Sequence, residues 1–326
     1  MLKVGIVGVG KFGENHVRIL SSSDKCDLVG IYDKNKKRAD EIGAKYQVTV
    51  LPDFDTLLNR IDALVIVVTT VSHYDLAKQA IERGIHTFIE KPITEKLEQA
   101  EELVQLADKH KVKLQVGHVE RFNPIVLHIE NQIKDPIFAE CHRIAPFSAR
   151  GSDVPVVLEL MIHDIDLILA FMGSKVKDIR ASGASVMTKS IDIANARLEF
   201  ENGAVANVTA SRISLKRSRK LRFFQKDSYF SMDFQNKKVR IVKKSKNVYK
   251  LMPQILKGDY GNITTEDVVD ISEYDASDHT KDALTAELES FVDCIENKKR
   301  PVVDGFAGVR ALDIALKIVN KIKDKG

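Results

Sequence analysis

The chain is poor in cysteine. Its three residues, Cys26, Cys141 and Cys294, are an odd number, lie far apart, and form no CxxC pair. That pattern argues against a disulfide framework or structural zinc and fits a reducing compartment; no metal site is expected. Long apolar runs are also missing. No stretch approaches the roughly 18 residues a membrane helix needs, so no span is expected. Neither sign of charge dominates: 50 Lys and Arg against 46 Asp and Glu leave +4, which gives no general reason to expect a nucleic-acid partner. Internal repeats and low-complexity tracts are absent. What is present is ordinary globular composition, 44% hydrophobic and 29% charged, which excludes disordered and collagen-like classes. A length of 326 residues predicts two domains. The opening MLKVGIVGVG carries no basic leader or small-residue cleavage site, so it reads as a first strand rather than a signal peptide, and the expected location is cytoplasmic.

Two hydrophobic periods alternate through the first 120 residues. KVGIVGV (3–9), CDLVGIY (26–32), ALVIVV (63–68), HTFI (86–89) and KLQVGH (113–118) have strand length and strand composition. Between them, ENHVRILSS, KKRADEIGAKY, HYDLAKQAIERG and EKLEQAEELVQLADKHK have helical spacing. This predicts an α/β, doubly wound parallel sheet of Rossmann type over 1–120. From 121 to 326 the pattern becomes α+β, with a large, open, mainly antiparallel sheet. Here a helix is expected over 156–173, closed by Gly173, and a hairpin turn at Asn202-Gly203 between DIANARLEF and AVANVTAS. KLRFFQ, SYFSMDF and KKVRIVKK read as further strands, 244–276 as loop with short strands, and the last fifty residues as two helices.

Gly8-Val9-Gly10-Lys11-Phe12-Gly13 fits G-x-G-x-x-G. The hexamer alone is weak evidence, but here it follows a buried-strand pattern and opens a helix, the setting in which it cradles a dinucleotide diphosphate. Asp33 ends the second strand, 20 residues past Gly13, where a carboxylate can bind the ribose hydroxyls of NAD and repel the 2′-phosphate of NADP. Lys34, Lys36, Lys37 and Arg38 could neutralise that phosphate or simply begin a solvated helix. The position of Asp33 favours NAD, with NADP the lesser alternative.

Glu90-Lys91-Pro92 ends the HTFI strand, at the carboxyl edge where parallel sheets bind ligands. From the tripeptide alone, an exposed lysine at a strand end reads equally well. On the long helix, Glu159, His163 and Asp166 stand at i, i+4 and i+7 and so share a face, with Asp164 about 100° away. Ionisable groups in so apolar a helix are costly unless paired or working.

Together, GVGKFG, the acid after strand two, TTVSHYDLAKQAIERGIHTFIEKPI, GHVERFNP and LELMIHDID resemble the glucose–fructose oxidoreductase/inositol dehydrogenase/rhizopine-catabolism family, along nearly the whole chain. The resemblance implies a Rossmann domain followed by a substrate and oligomerisation domain, NAD(P) dependence, and oxidation of a sugar or cyclitol hydroxyl. It puts the family's functional lysine on Lys91 and its helix histidine on His163. Glu159 stands where the family usually has Asp, which changes the reach of that carboxylate. Cofactor contacts from Thr69, Thr70, His73 and Glu90 are implied as well, with helix capping by Ser72 the competing reading for the TTVSH segment. His118, Arg121 and Asn123 in GHVERFNP, and Arg150, are candidates for substrate contacts. The basic run 212–222 suits either a sugar-nucleotide diphosphate or a charged sheet edge. Within the family, GHVERFNP and the following helix are most similar to UDP-N-acetylglucosamine 3-dehydrogenases, which implies a sugar-nucleotide substrate, functional coupling to a PLP aminotransferase, and a homodimer or homotetramer; inositol, glucose and UDP-sugar uronate dehydrogenases share the core motifs, and a non-catalytic dinucleotide-binding regulator on the same fold is the alternative class. Whether Lys91 or His163 is the base stays open.

Overall fold

The structure, a computed structural model, describes residues 1–148, 151–258, 261 and 263–324. Two compact units divide the chain: Met1–Phe122 with Lys281–Ile314, and Asn123–Thr280 with Ala315–Gly326.

The first unit runs β1 (Leu2–Val7), α1 (Gly13–Ser21), β2 (Cys26–Tyr32), α2 (Lys36–Tyr46), α3 (Phe54–Leu58), β3 (Ala63–Ile66), α4 (His73–Glu82), β4 (His86–Glu90), α5 (Leu97–His110) and β5 (Leu114–Gly117). The strands form one parallel sheet in the order β2-β1-β3-β4-β5. Val4, Ile6, Leu64, Val65 and Ile66 are fully buried, because helices cover both faces of the central strands. The chain leaves β1 for β2 and then crosses back to β3, so the order reverses beside β1. Open α/β sheets bind ligands outside the carboxyl ends of the strands at such a point.

The second unit contains α6 (Pro124–Ile129), β6 (Phe138–Ile144), a π-helical turn (Val157–Met161), α7 (Ile162–Met172), β7 (Val176–Ala184), β8 (Ile193–Phe200), β9 (Val205–Ser211), β10 (Ser218–Gln225), β11 (Ser228–Asp233), β12 (Lys238–Lys244), α8 (Val248–Leu256), α9 (Thr265–Val268) and β13 (Val269–Asp275). Eight strands form an open sheet, β13-β12-β11-β10-β6-β9-β8-β7. β6 and β9 run parallel and the other neighbours antiparallel. On one face Ala194, Ala196, Leu198, Ala206, Val208 and Phe223 are buried, and Phe171 of α7 meets Phe223 edge-on at 5.1 Å. The opposite face is tiled by polar cross-strand partners: Asn195 with Thr209 (2.9 Å), Arg222 with Glu140 (3.3 Å) and Arg240 with Glu273 (3.1 Å). Of the last two helices, α10 (Ala283–Glu296) belongs to the first unit, where Phe291 packs edge-on against Phe88 at 5.8 Å. The last, α11 (Gly305–Lys323), is divided between the units after Ile314.

Two expectations need correction. The 244–276 segment holds two short helices and one strand rather than loop with short strands. Val248, Leu251 and Ile255 have helical spacing, but nine residues with an internal Pro253 give little periodic signal. The helix expected over 156–173 is π-helical through Met161 and α-helical only from Ile162. A π turn admits an extra residue, so Glu159 does not keep the regular i, i+4 relation to His163.

Asp164 locks α7 to β6. Its two carboxylate oxygens accept from Nε and Nη2 of Arg143, both at 2.6 Å, and the acid is 1% and the arginine 8% exposed. Asp164→Ala removes both 2.6 Å contacts from a buried guanidinium and should lower urea-unfolding stability by roughly 3–5 kcal/mol. The double variant Arg143→Met/Asp164→Leu should recover most of that loss. Among the described residues no helix is long and apolar enough to cross a membrane.

Candidate active site

The glycine turn joins β1 to α1. Gly8 has φ +90°, and a Cβ there would collide with the Val67 carbonyl oxygen; one on Gly13 would collide with the carbonyl oxygen of Gly8. Over Gly10 a Cβ would meet nothing within 4 Å, so the loop keeps an open floor that a diphosphate could approach. Phe12, the N-cap of α1, supplies no capping side chain, and the helix dipole adds its positive end at this point. Lys11 and Phe12 stand exposed beside it.

Asp33 is fixed just past β2. Its Oδ2 accepts from Val9 N and its Oδ1 from Asn35 N, each at 2.8 Å. Beside it lies a cleft of about 280 Å³, walled by Tyr32, Val50, Leu51 and Pro52. Lys34, Lys36 and Asp40 line it as well, so it is a mixed cleft with the Asp33 carboxylate at its side; with the glycine turn it suits the adenosine half of NAD. Arg38, expected at the cofactor, directs Nε to the Val9 carbonyl oxygen (3.0 Å) and Nη2 to Glu14 Oε2 (2.6 Å). A second cleft, of about 320 Å³, adjoins Lys113, Arg300 and Phe306 at the amino end of β5, the opposite edge of the sheet from the glycine turn.

Lys91 follows β4, two strands from β1 in the sheet. Its segment is held on both sides. Buried Glu90 receives Nε2 of His16 at 3.0 Å on Oε1 and the Lys91 backbone N–H at 3.2 Å on Oε2. His73 faces the Pro92 carbonyl oxygen through Nδ1 (2.9 Å) and the Val68 carbonyl oxygen through Nε2 (3.2 Å). Burial pushes its pKa down, so the ring is neutral near pH 7 and its single N–H serves one of those carbonyls. His73 is only 1% exposed, and this geometry makes it a strut between the segments after β3 and β4. Thr69 and Thr70 follow β3, Thr69 exposed and Thr70 half-buried, and Ser72 makes no side-chain capping bond. Lys91 itself is half-buried.

In the second unit, His163 is half-buried in the first turn of α7, and Asp166 is 2% exposed. Glu159, on the π turn, meets Nη1 of Arg212 at 3.0 Å. Arg212 is the most deeply buried of the described basic residues in the run. It also reaches Asp192 (3.1 Å), Ile191 O (2.8 Å) and the carbonyls of Gly151 and Val154. The rest of the run diverges: Lys220 pairs with Asp233 at 3.8 Å, Arg222 pairs with Glu140, and Arg219 lies 4.8 Å over Phe234. Burial lowers the Arg219 pKa to about 10. Lys216, Arg217, Lys220 and Arg222 are exposed, Arg219 is half-buried and Arg212 is buried. Asn123 caps α6 by accepting from Ile125 N at 3.3 Å. In the first unit, His118 is buried and Arg121 half-buried. Arg150 lies outside the described residues.

Sequence reasoning passed over Glu14, His16 and Arg212 as individual side chains with work to do. His16 was the findable one, being on the buried face of α1 with Val17 and Leu20. Glu14 and Arg212 look like any surface charge until the fold supplies their partners.

Residues 2–118 match the model of an oxidoreductase family with an NAD-binding Rossmann fold, and 130–227 match the GFO/IDH/MocA C-terminal domain. The chain belongs to the GFO/IDH/MocA oxidoreductase family. Like other members, it is an NAD(P)-dependent oxidoreductase by fold and motif. It is 33% identical over 318 residues to the UDP-N-acetylglucosamine 3-dehydrogenase of Acidithiobacillus ferrooxidans, covering 97% of this chain and 96% of that one. A solved structure of that enzyme superimposes with a TM-score of 0.90 at 32% identity, over 99% and 98% of the two chains. The scyllo-inositol 2-dehydrogenase (NAD(+)) of Bacillus subtilis is 22% identical over 345 residues, covering 99% of this chain and 94% of that one. The family carries more than one substrate on this architecture.

Proposed function

We propose that this GFO/IDH/MocA member oxidises the C3 hydroxyl of UDP-N-acetylglucosamine to a 3-keto sugar, with the first unit holding NAD. The observation that carries the reading is Lys91 at the carboxyl edge of the same sheet as the Gly8–Gly13 turn, in a chain with full-length similarity to an enzyme of that name. NAD, when bound, supplies the hydride acceptor. Gly8, Gly10, Lys11, Phe12 and Gly13 receive its diphosphate, Asp33 its ribose, and Thr69, Thr70 and the Glu90 segment line its nicotinamide end. Lys91 donates a hydrogen bond to the reacting oxygen and stabilises negative charge developing there. His163 takes the hydroxyl proton, imidazole being the side chain whose ordinary pKa suits that task near neutrality. Glu159, held by Arg212, keeps a carboxylate near the start of α7 for orienting a group there. His118, Arg121 and Asn123 stand as substrate contacts. The ketone is consumed by transamination in a PLP aminotransferase, in the cytoplasm, and the open sheet pairs with a second copy in a homodimer or homotetramer.

The test is NADH absorbance on adding UDP-N-acetylglucosamine and NAD⁺, with an aminotransferase and amino donor as ketone trap. Steady NADH formation is expected with the nucleotide sugar and not with free N-acetylglucosamine or inositol. Turnover only on a free sugar or cyclitol would overturn the substrate assignment. In the same assay, Asp33→Ser should move the ratio of kcat/KM values toward NADP by about tenfold or more, since one carboxylate–hydroxyl interaction is lost and one repulsion removed. A wild type that already prefers NADP would contradict the role given to Asp33.

A further inference from the structure

We propose that Glu14 is a second determinant of NAD over NADP selectivity, acting by withholding Arg38 from a 2′-phosphate; this rests on the cleft beside Asp33 being the adenosine site. Val9 brings the opposing charges together. Its N–H holds the Asp33 carboxylate at 2.8 Å, and its carbonyl oxygen accepts from Arg38 Nε at 3.0 Å. A ribose hydroxyl bound by Asp33 is therefore one peptide away from a guanidinium, the side chain best suited to a phosphate.

That guanidinium is already engaged. Nη2 meets Glu14 Oε2 at 2.6 Å, and Nη1 lies 3.6 Å from Glu41. Glu14 is in turn held from its other oxygen by Lys45 (2.7 Å) and by the Tyr46 hydroxyl (3.2 Å). Hydrogen bonds from Lys45 and Arg38 lower the Glu14 pKa to about 2, so its charge is present at any pH where the protein works. Lys34 and Lys36 line the same cleft, Lys36 paired with Asp40 at 3.1 Å, and Lys37 is exposed; because these lysines are present in every variant below, differences among the variants isolate the Glu14–Arg38 pair. An incoming 2′-phosphate thus meets the carboxylate of Asp33 and an arginine whose donors point at Glu14. With the Glu14 charge removed, Nε remains on the Val9 carbonyl and Nη1 beside Glu41, and Nη2 is the donor released for a phosphate.

The experiment titrates ADP and 2′,5′-ADP, which carry the adenosine half of each cofactor and need no substrate, into wild type, Glu14→Gln, Arg38→Leu and the Glu14→Gln/Arg38→Leu double variant. Wild type should bind ADP and discriminate against 2′,5′-ADP. Glu14→Gln should bind 2′,5′-ADP about tenfold tighter than wild type, the factor of one new charge-assisted contact, with ADP affinity unchanged. The gain should vanish in the double variant. A Glu14→Gln protein that binds ADP normally but gains nothing for 2′,5′-ADP, or whose gain survives Arg38→Leu, overturns the proposal. Failure of wild type to bind ADP removes the adenosine-site reading itself, a distinguishable result. Retained ADP binding also reports that each variant is folded.

Discussion

Lys91→Met should lower kcat by about 10²- to 10³-fold, the range for removing one donor to a developing oxyanion, while NAD affinity stays within about twofold. Methionine keeps the length and apolar stem of lysine and loses only the ammonium. The surrounding frame has its own supports: Glu90 is held by His16, and the Pro92 carbonyl faces His73. The backbone N–H of Lys91, which Glu90 also binds, survives the change. A loss of turnover with intact cofactor binding would therefore belong to the chemical step. Lys91→Arg separates the two roles open to this residue. Arginine still donates hydrogen bonds but does not deprotonate, so partial activity supports charge stabilisation and a complete loss supports lysine as base. Turnover near wild type in Lys91→Met would take the residue out of the mechanism.

Local patterns carried much of the fold. The switch from helical spacing to strand alternation marks the second unit, and Asn202-Gly203 stands between β8 and β9. Gly8 and Gly13 were legible because their roles are steric and local: each would clash with a neighbouring backbone carbonyl if it bore a side chain. Features made by distant partners were not legible. The parallel pairing of β6 with β9 joins strands some sixty residues apart, and no local signal encodes it. The π turn at Val157–Met161 has the apolar composition of the helix that follows; its backbone opens where Glu159 meets Arg212, more than fifty residues on. In the run Arg212 to Arg222 the sequence shows only six positive charges and no acid. The fold buries Arg212 among carbonyls and carboxylates and spends Lys220 and Arg222 on ion pairs across strands. A basic cluster in sequence became one internal strut and several separate surface contacts.

His163→Ala should cost about 10²- to 10⁴-fold in kcat/KM, the usual contribution of a general acid–base group, and should alter the pH profile as well. For a base that must be neutral, kcat/KM rises as pH climbs through the imidazole ionisation and levels off above it. The variant should lose that acidic limb and retain only weak, flatter activity. The imidazole's place on the helix is fixed by its neighbour. Asp164 is clamped to Arg143 by two 2.6 Å contacts, which sets the rotation of α7 and leaves the adjacent side chain about 100° around the axis, half-buried rather than in the core. Loss of His163 should therefore leave the thermal midpoint nearly unchanged, unlike loss of Asp164, and the two substitutions divide chemistry from scaffold. ADP binding should also persist in His163→Ala, because Asp33 and the glycine turn belong to the first unit and His163 to the second. An unaltered acidic limb in His163→Ala, whatever the size of the rate loss, would assign the titrating base to another group, with Lys91 next to be tested.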